Sequence, residues 1–369
     1  MTKEWFLVEN MDQADSPALL IYKERVLHNI GLAIKIIGDE SRLRPHVKTH
    51  KSSAVTGLML KAGISKFKFA TIAEAEMLGK EGAPDVLLAY QPTGPKIERL
   101  LSLIKMYPVT HFSCLVDSVD AARTLAEKAL AAGVTVDVFL DINVGMNRTG
   151  VVPSRALTSY EECAALQGIK PVGLHAYDGH INDSDLKIRK QRADEVYEVA
   201  NAIKEALQIS GLTRPVMILG GSPTFGIHAK REQVECSPGT FVYWDRNYEE
   251  AFPDLPFLPA ALVVSRVISV VSENRICVDL GHKSVAAENP LSQRVYFLNA
   301  EDWQPVGQSE EHLVLETSGP RRFKVGDVLY GMPFHICPTS ALYEKAYVVE
   351  DGNVKGVWET TARDRKISI

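Results

Sequence analysis

Three observations predict a closed (β/α)8 barrel followed by an all-β domain. Apolar strands alternate with helices about eight times between Ala18 and Gly220, no glycine-rich dinucleotide turn interrupts them, and near Phe252 the helices stop. Strand–helix alternation at this tempo builds parallel βαβ units, and without a dinucleotide fingerprint eight of them favour a barrel over an open doubly wound sheet. A chain of 369 residues exceeds the roughly 100–200 of one ordinary domain and suits a barrel plus a second unit. The expected boundaries are 16–255 for the barrel and 256–369, joined by residues 1–15, for the β domain.

The elements follow in order. Ala18 to Tyr22 (ALLIY) is a continuous apolar run, the pattern of a buried strand. Lys23 to Ile37 carries Val26, Ile30, Ala33 and Ile36 at helical spacing, and Leu43 onward is the next strand. Ser53 to Ala62 is a helix stopped by Gly63. Phe67 to Thr71 is a strand leading into a helix with early acids and a terminal glycine. Strands at 86–90, 112–116, 135–141, 172–176 and 216–220 alternate with helices at 96–106, 118–132, 154–166 and 185–210. Beyond Pro256, short β-rich runs follow one another across Gly, Pro and charged turns, with no helix between them.

Composition narrows the function. A net charge of −5 gives no electrostatic case for nucleic acid or an anionic membrane. The N-terminus lacks the apolar core of a signal peptide, and no stretch approaches the length of a membrane span. Five scattered cysteines, odd in number and without a CxxC pair, indicate reduced thiols and a cytoplasmic location.

In a barrel the chemistry gathers where strands end. Leu43 to Ser52 (LRPHVKTHKS) sets Lys48 and Lys51 among His46 and His50 with no acid nearby. Crowded cations and burial both disfavour lysine protonation, and a lysine so prepared is a nucleophile suited to a Schiff base; the plainer alternative is a basic loop. Asp141 to Val151 projects Arg148 from a Gly-containing turn, either towards a site or simply at the surface. Gly173 to Ile181 clusters His175, Tyr177 and His180, a wall for a planar ligand or part of the core. Gly220 to Phe225 (GGSPTF) and Ser237 to Asp245 (SPGTFVYWD) offer backbone N–H groups and hydroxyls for an anion, at the usual phosphate position of this architecture. A lysine, a phosphate cup and an aromatic wall are what pyridoxal 5′-phosphate requires. In Pro333 to Ser340, His335 and Cys337 stand two apart, which on an extended segment puts an imidazole and a thiolate on one face for Zn²⁺ or a similar ion; an incidental pair is the alternative.

Together DSPALLI, RPHVKTHKS, FATIAEAEML, DINVGMNRTG, GGSPT, SPGTFVYWD, DLGHKSVA, SEEH and HICPT resemble the D-threonine aldolase and D-serine dehydratase-like branch of the alanine racemase fold, over nearly the whole chain. The resemblance implies a TIM-like barrel of the alanine racemase type and a pyridoxal phosphate-dependent lyase acting on D-β-hydroxy amino acids. It gives Lys48 the Schiff base with the cofactor, sets Arg148 against the cofactor ring and Tyr177 in the active-site turn, and matches Gly221, Ser222, Thr224, Gly239 and Thr240 to the phosphate cup. His46 joins the cofactor-binding set. His335 and Cys337 match the family's divalent-metal pair in its dehydratase form, where the aldolase form has Asp in place of Cys; Zn²⁺ is the first expectation and Mn²⁺ the second. A homodimer is implied by analogy. Two rivals stand beside this reading: a metal-independent amino-acid racemase on the same fold, and a non-catalytic pyridoxal phosphate-binding protein.

Overall fold

The computed structural model describes residues 4–212, 215–319 and 322–369, so the first three residues of the N-terminal segment lie outside it. Two compact units divide the chain: one comprises Met1–Gly31, Thr49–Ala54 and Thr240–Arg363, the other Leu32–Lys48, Val55–Gly239 and Asp364–Ile369.

Strands β1 (Ala18–Tyr22) to β8 and helices α1 (Lys23–Ile37) to α8 cover the first two-thirds of the chain. In the second of these units β2 (Lys66–Phe69), β3 (Asp85–Leu88), β4 (His111–Val116), β5 (Val136–Asp141), β6 (Ile169–Ala176), β7 (Val216–Leu219) and β8 (Val234–Cys236) lie side by side in chain order. All six neighbouring pairs are parallel. The connecting helices are α2 (Ser53–Lys61), α3 (Ile72–Lys80), α4 (Pro95–Met106), α5 (Val119–Ala131), α6 (Ala156–Ala164), α7 (Leu186–Ile209) and α8 (Phe225–His228). Thr71, Ser118 and Asp185 cap α3, α5 and α7 through their side-chain oxygens, so each of these strand-to-helix turns satisfies donors that would otherwise be orphaned.

Leu43–Val47 closes the ring. Arg44 N–H donates to Cys236 O (2.8 Å) and His46 N–H to Pro238 O (3.0 Å) on one side; Lys68 N–H donates to Pro45 O (2.8 Å) and Val47 N–H to Lys68 O (2.9 Å) on the other. Pro45 has no N–H to give the ladder, which is why this eighth strand registers as isolated bridges. Closure pairs both edges of the parallel sheet, the general advantage of a barrel. Beneath it, the Arg44 guanidinium, 2% exposed, forks onto Asp85 (2.7 and 3.0 Å) and Glu235 (2.8 Å), joining strands from both sides of the closing segment. Removing one partner of such a tie strands a buried charge, at a cost of about 3–5 kcal/mol.

The first unit is built on a nine-stranded, mostly antiparallel sheet in the order β12-β13-β10-β9-β1-β15-β16, with β14 paired to β9 and to β11. Its members besides β1 are β9 (Ala261–Ser272), β10 (Arg275–Val278), β11 (Val295–Phe297), β12 (Gln304–Gln308), β13 (Leu313–Glu316), β14 (Val328–Pro333), β15 (Lys345–Glu350) and β16 (Asn353–Glu359); two short helices, α9 (Arg246–Ala251) and α10 (Ile336–Ser340), accompany them. Strand β1, expected as the first barrel strand, instead pairs antiparallel with β9 and parallel with β15. All five of its residues are buried, so its apolar run satisfies either sheet equally, and only its partners decide. The residues before it pack on the same sheet: Phe6, Val8 and Met11 share a core with Leu20, Leu262 and Tyr330. No described helix is long and apolar enough to cross a membrane.

Candidate active site

The barrel's strand ends carry most of the expected residues. Lys48 follows the closing strand and is exposed, while His46 is buried and its Nδ1 accepts the Lys48 backbone N–H at 3.3 Å. In the other unit His50 repeats the device, accepting the Ser52 N–H at 3.1 Å; burial, with Lys51 adding to it, holds this imidazole neutral, down at about 3. The two histidines thus brace the backbone two residues ahead of them. The burial expected at the reactive lysine falls elsewhere, on Lys68 of β2.

Lys68 is 3% exposed, and its Nζ lies 3.3 Å from His175 Nε2. Asp141 and His175 are register partners at the ends of β5 and β6, and His175 Nδ1 sits 2.6 Å from Asp141 Oδ1; the Thr149 hydroxyl donates to Asp141 Oδ2 at 2.7 Å. Burial, then the Lys48 charge, bring Lys68 down to about 7, with Asp141 opposing. Burial and Lys68 likewise hold His175 below its ordinary value. Asp141 stays below the usual carboxylate range: burial works against this, and His175, Thr149 and Lys68 outweigh it. The Tyr177 ring lies nearly parallel to His175 (14°, centroids 6.5 Å apart), with Lys68 Nζ 5.4 Å and Arg148 Cζ 5.3 Å from its centre. Arg148 is exposed and Tyr177 half-buried, so both present surface to solvent at this end of the barrel.

The turn after β7 is pinned from below by Asp178. Its buried carboxylate accepts the Gly221 N–H (3.3 Å), the Thr224 hydroxyl (3.0 Å) and His228 Nε2–H (2.8 Å), while Arg231 donates to His228 Nδ1. The Gly221 N–H and Thr224 hydroxyl, expected in the phosphate cup, are therefore directed to Asp178 and shape the turn. Ser222 faces the neighbouring turn, its Oγ accepting the Gly239 N–H at 3.2 Å. Gly221 also makes room: a Cβ there would lie 3.0 Å from the Tyr177 ring.

In the other unit, His335 and Cys337 meet, but not along an extended strand. His335 is the N-cap of α10, so Cys337 stands in the helix's first turn. Buried Asp245 accepts the Ile336 N–H at 3.1 Å, and the Thr339 hydroxyl donates to His335 O at 2.8 Å, which fixes the turn. Pro338 is tolerated there because a first-turn N–H has no intrahelical partner. The hydrogen bond to Cys337, with help from Glu288 against burial, raises His335 to about 9. Glu288 bonds His335 Nδ1, the carboxylate–histidine arrangement that orients metal-ligating imidazoles. Cys337 Sγ lies 3.2 Å from Thr49 Oγ1 and 3.6 Å from Thr240 Oγ1; Thr49 is the residue after Lys48 and Thr240 the residue after Gly239. Among the described residues no group of three or more His, Cys, Asp or Glu is placed to hold a metal ion.

Sequence reasoning missed Lys68, Asp178, Asp245 and Glu288. Lys68 carried a signal, as a charge inside the short strand KFKF; Glu288, 47 residues from His335, carried none.

The chain is similar to proteins of known family. Residues 21–247 match the family described as "Alanine racemase, N-terminal domain", and residues 260–349 match the "Putative serine dehydratase domain". The chain is 26% identical to a D-threonine aldolase of Arthrobacter sp. over 87% of its own length and 85% of that protein's. It is 27% identical to the D-threo-3-hydroxyaspartate dehydratase of Delftia sp. (strain HT23), covering 94% and 97% respectively. The crystal structure of D-threonine aldolase from Filomicrobium marinum superposes with a TM-score of 0.88 at 27% identity, covering 98% of each chain. The chain therefore belongs to the alanine racemase N-terminal domain family, in its D-threonine aldolase and D-serine dehydratase-like branch.

Proposed function

We propose that this protein is a pyridoxal phosphate- and divalent metal-dependent lyase of D-β-hydroxy amino acids, cleaving D-serine- or D-threonine-type substrates. The observation that carries the reading is the bonded His335–Cys337 pair backed by Glu288, which a racemase or a simple cofactor carrier has no use for. The named relatives point the same way, two being aldolases and one a dehydratase.

The residues fit pyridoxal phosphate. Lys48 offers an exposed amine at a barrel strand end, Arg148 and Tyr177 offer a cation and an aromatic face, and Gly221 leaves the Tyr177 ring uncovered where a Cβ would press on it at 3.0 Å. We assign Lys48 to the Schiff base, His46 to bracing its turn, Arg148 and Tyr177 to the ring, and Ser222, Gly239 and Thr240 to the phosphate, with Gly221 and Thr224 shaping that loop. The cofactor, when bound, supplies the electron sink for a carbanion at the substrate's Cα. Lys48 would then be the residue that takes or returns the α-proton. His335 and Cys337 would hold a divalent metal, which would supply a Lewis acid for the substrate's β-hydroxyl. The imidazole–thiolate donor set favours Zn²⁺, with Mn²⁺ as the alternative. We infer a cytoplasmic enzyme from the five scattered cysteines, none of which forms a disulfide, and a homodimer from the family.

Product analysis tests the reading. D-Serine giving pyruvate and ammonia identifies a dehydratase; D-threonine giving glycine and acetaldehyde identifies an aldolase. Racemisation of D-alanine in the absence of either lyase activity would overturn the assignment.

A further inference from the structure

Lys68 is a buried lysine that this mechanism does not use. It lies on β2 within the alternating run KFKF, with Phe67 and Phe69 on one face of the strand and Lys66 and Lys68 on the other. Lys66 reaches Glu235, whereas the Lys68 amine ends against an imidazole and an aromatic ring. Burying an ammonium group against neutral partners costs stability, so the position is a candidate for function.

We propose that Lys68 is a positioning residue of the candidate active site: seated between His175 Nε2 and the Tyr177 ring, its ammonium group fixes His175 in the neutral tautomer that donates Nδ1–H to Asp141. An ammonium group has three donors and no acceptor, so at 3.3 Å it requires His175 Nε2 to accept. That leaves the only ring proton on Nδ1, facing Asp141 at 2.6 Å, a short charge-assisted bond. The Thr149 hydroxyl occupies the other Asp141 oxygen and prevents the carboxylate from turning. Lys68, His175 and Asp141 together hold one excess proton, and that proton has two seats. On Lys68 it leaves the imidazole neutral and the cation over Tyr177, on whose ring Arg148 also rests. On His175 it gives an imidazolium beside Asp141 and a neutral amine.

Burial is the largest influence on Lys68 and, with Lys48 and Arg44 adding to it and Asp141 and Asp178 opposing, brings it to about 7. The excess proton is therefore exchanged with solvent near neutral pH. The significance for catalysis rests on the lyase reading, but the relay is a property of the cofactor-free chain and can be tested there.

Protein labelled with ¹⁵N-histidine, without added cofactor, is titrated by long-range ¹H–¹⁵N spectroscopy, with His175→Gln identifying the signal. Below the Lys68 titration, the wild type is expected to show a protonated Nδ1 and a bare Nε2, with an inflection at Nε2 near pH 7 as Lys68 titrates. Lys68→Met removes a cation that holds His175 below its ordinary value, so His175 takes up its second proton at higher pH than in the wild type. Lys68→Arg keeps a cation that does not titrate, so the neutral tautomer persists and the inflection disappears. A wild-type His175 that carries its proton on Nε2, or an unchanged spectrum in Lys68→Met, overturns the proposal; should Lys68→Met not fold, the wild-type and Lys68→Arg spectra decide. Loss of lyase activity with the tautomer pattern intact would count against the functional reading and leave the relay standing.

Discussion

Replacing Asp178 probes how the turn after β7 is held. Three buried donors converge on its carboxylate: the Gly221 N–H at 3.3 Å, the Thr224 hydroxyl at 3.0 Å and His228 Nε2–H at 2.8 Å. Thr224 and His228 are 1% and 0% exposed, so water does not take over when the carboxylate is removed. Hydrogen bonds to a charged group contribute about 1.5–3 kcal/mol each, and the Gly221 bond is the longest and weakest of the three. Their effects overlap and fall short of the full sum, so Asp178→Ala, which leaves three buried donors without an acceptor, is expected to destabilise the protein by about 4 kcal/mol. Asp178→Asn keeps the shape but not the chemistry. The Arg231 guanidinium can only donate, so His228 Nδ1 must accept and Nε2 must carry the proton. An amide whose oxygen serves Gly221 and Thr224 then turns its NH₂ towards another donor, a mismatch of about 2 kcal/mol. Adding Arg231→Met frees the His228 tautomer, so Asp178→Asn and Arg231→Met are expected to couple favourably by about 1 kcal/mol in a double-mutant cycle. Urea unfolding followed by circular dichroism measures the wild type and each variant. A loss below about 1 kcal/mol in Asp178→Ala, or strict additivity in the cycle, would show that the carboxylate does not hold this turn.

Other perturbations test the remaining parts. Lys48→Ala is expected to abolish the absorbance of lysine-bound pyridoxal phosphate, while Lys51→Ala, whose site contributes a carbonyl accepting the Ala362 N–H, retains it. His335→Ala and Cys337→Ala are each expected to lower metal content, read by elemental analysis of the purified protein, and to abolish turnover without preventing cofactor binding. Hydrogen bonds to Asp137, then to Asp85, raise His111 to about 9 against the cost of burial. Its pKa is raised in the folded protein, so its contribution is complete below the ordinary histidine value of about 6.5 and is lost as pH rises through about 9. Thermal midpoints measured across that window should fall with pH in the wild type and fall less in His111→Asn.

The barrel was legible because its strands and helices alternate with clear periods and caps, and its chemistry because each strand end carries an unusual residue. What escaped was whatever local pattern does not encode. The five apolar residues of β1 fit any buried strand, so their allegiance to β9 and β15 depended on residues far along the chain. The spacing of His335 and Cys337 was visible, but a five-residue helix leaves no periodic trace, and the turn that brings the side chains together is fixed by Asp245 from a distance. Clustered cations near Lys48 suggested a buried amine; the fold buries the one on β2, whose neighbours His175 and Asp141 arrive from two later strands. Gly221 and Thr224 looked like free anion donors because nothing in GGSPTF announces that Asp178 lies beneath them.

Whether pyridoxal phosphate and a metal on His335 and Cys337 act in one lyase reaction is decided by metal removal and restoration. Protein loaded with pyridoxal phosphate is dialysed against a chelator and assayed with D-threonine and D-serine, before and after adding back Zn²⁺ or Mn²⁺. Turnover is expected to disappear with the metal, to return with it, and not to return in Cys337→Ala. Undiminished turnover after chelation would contradict the joint action of the two groups.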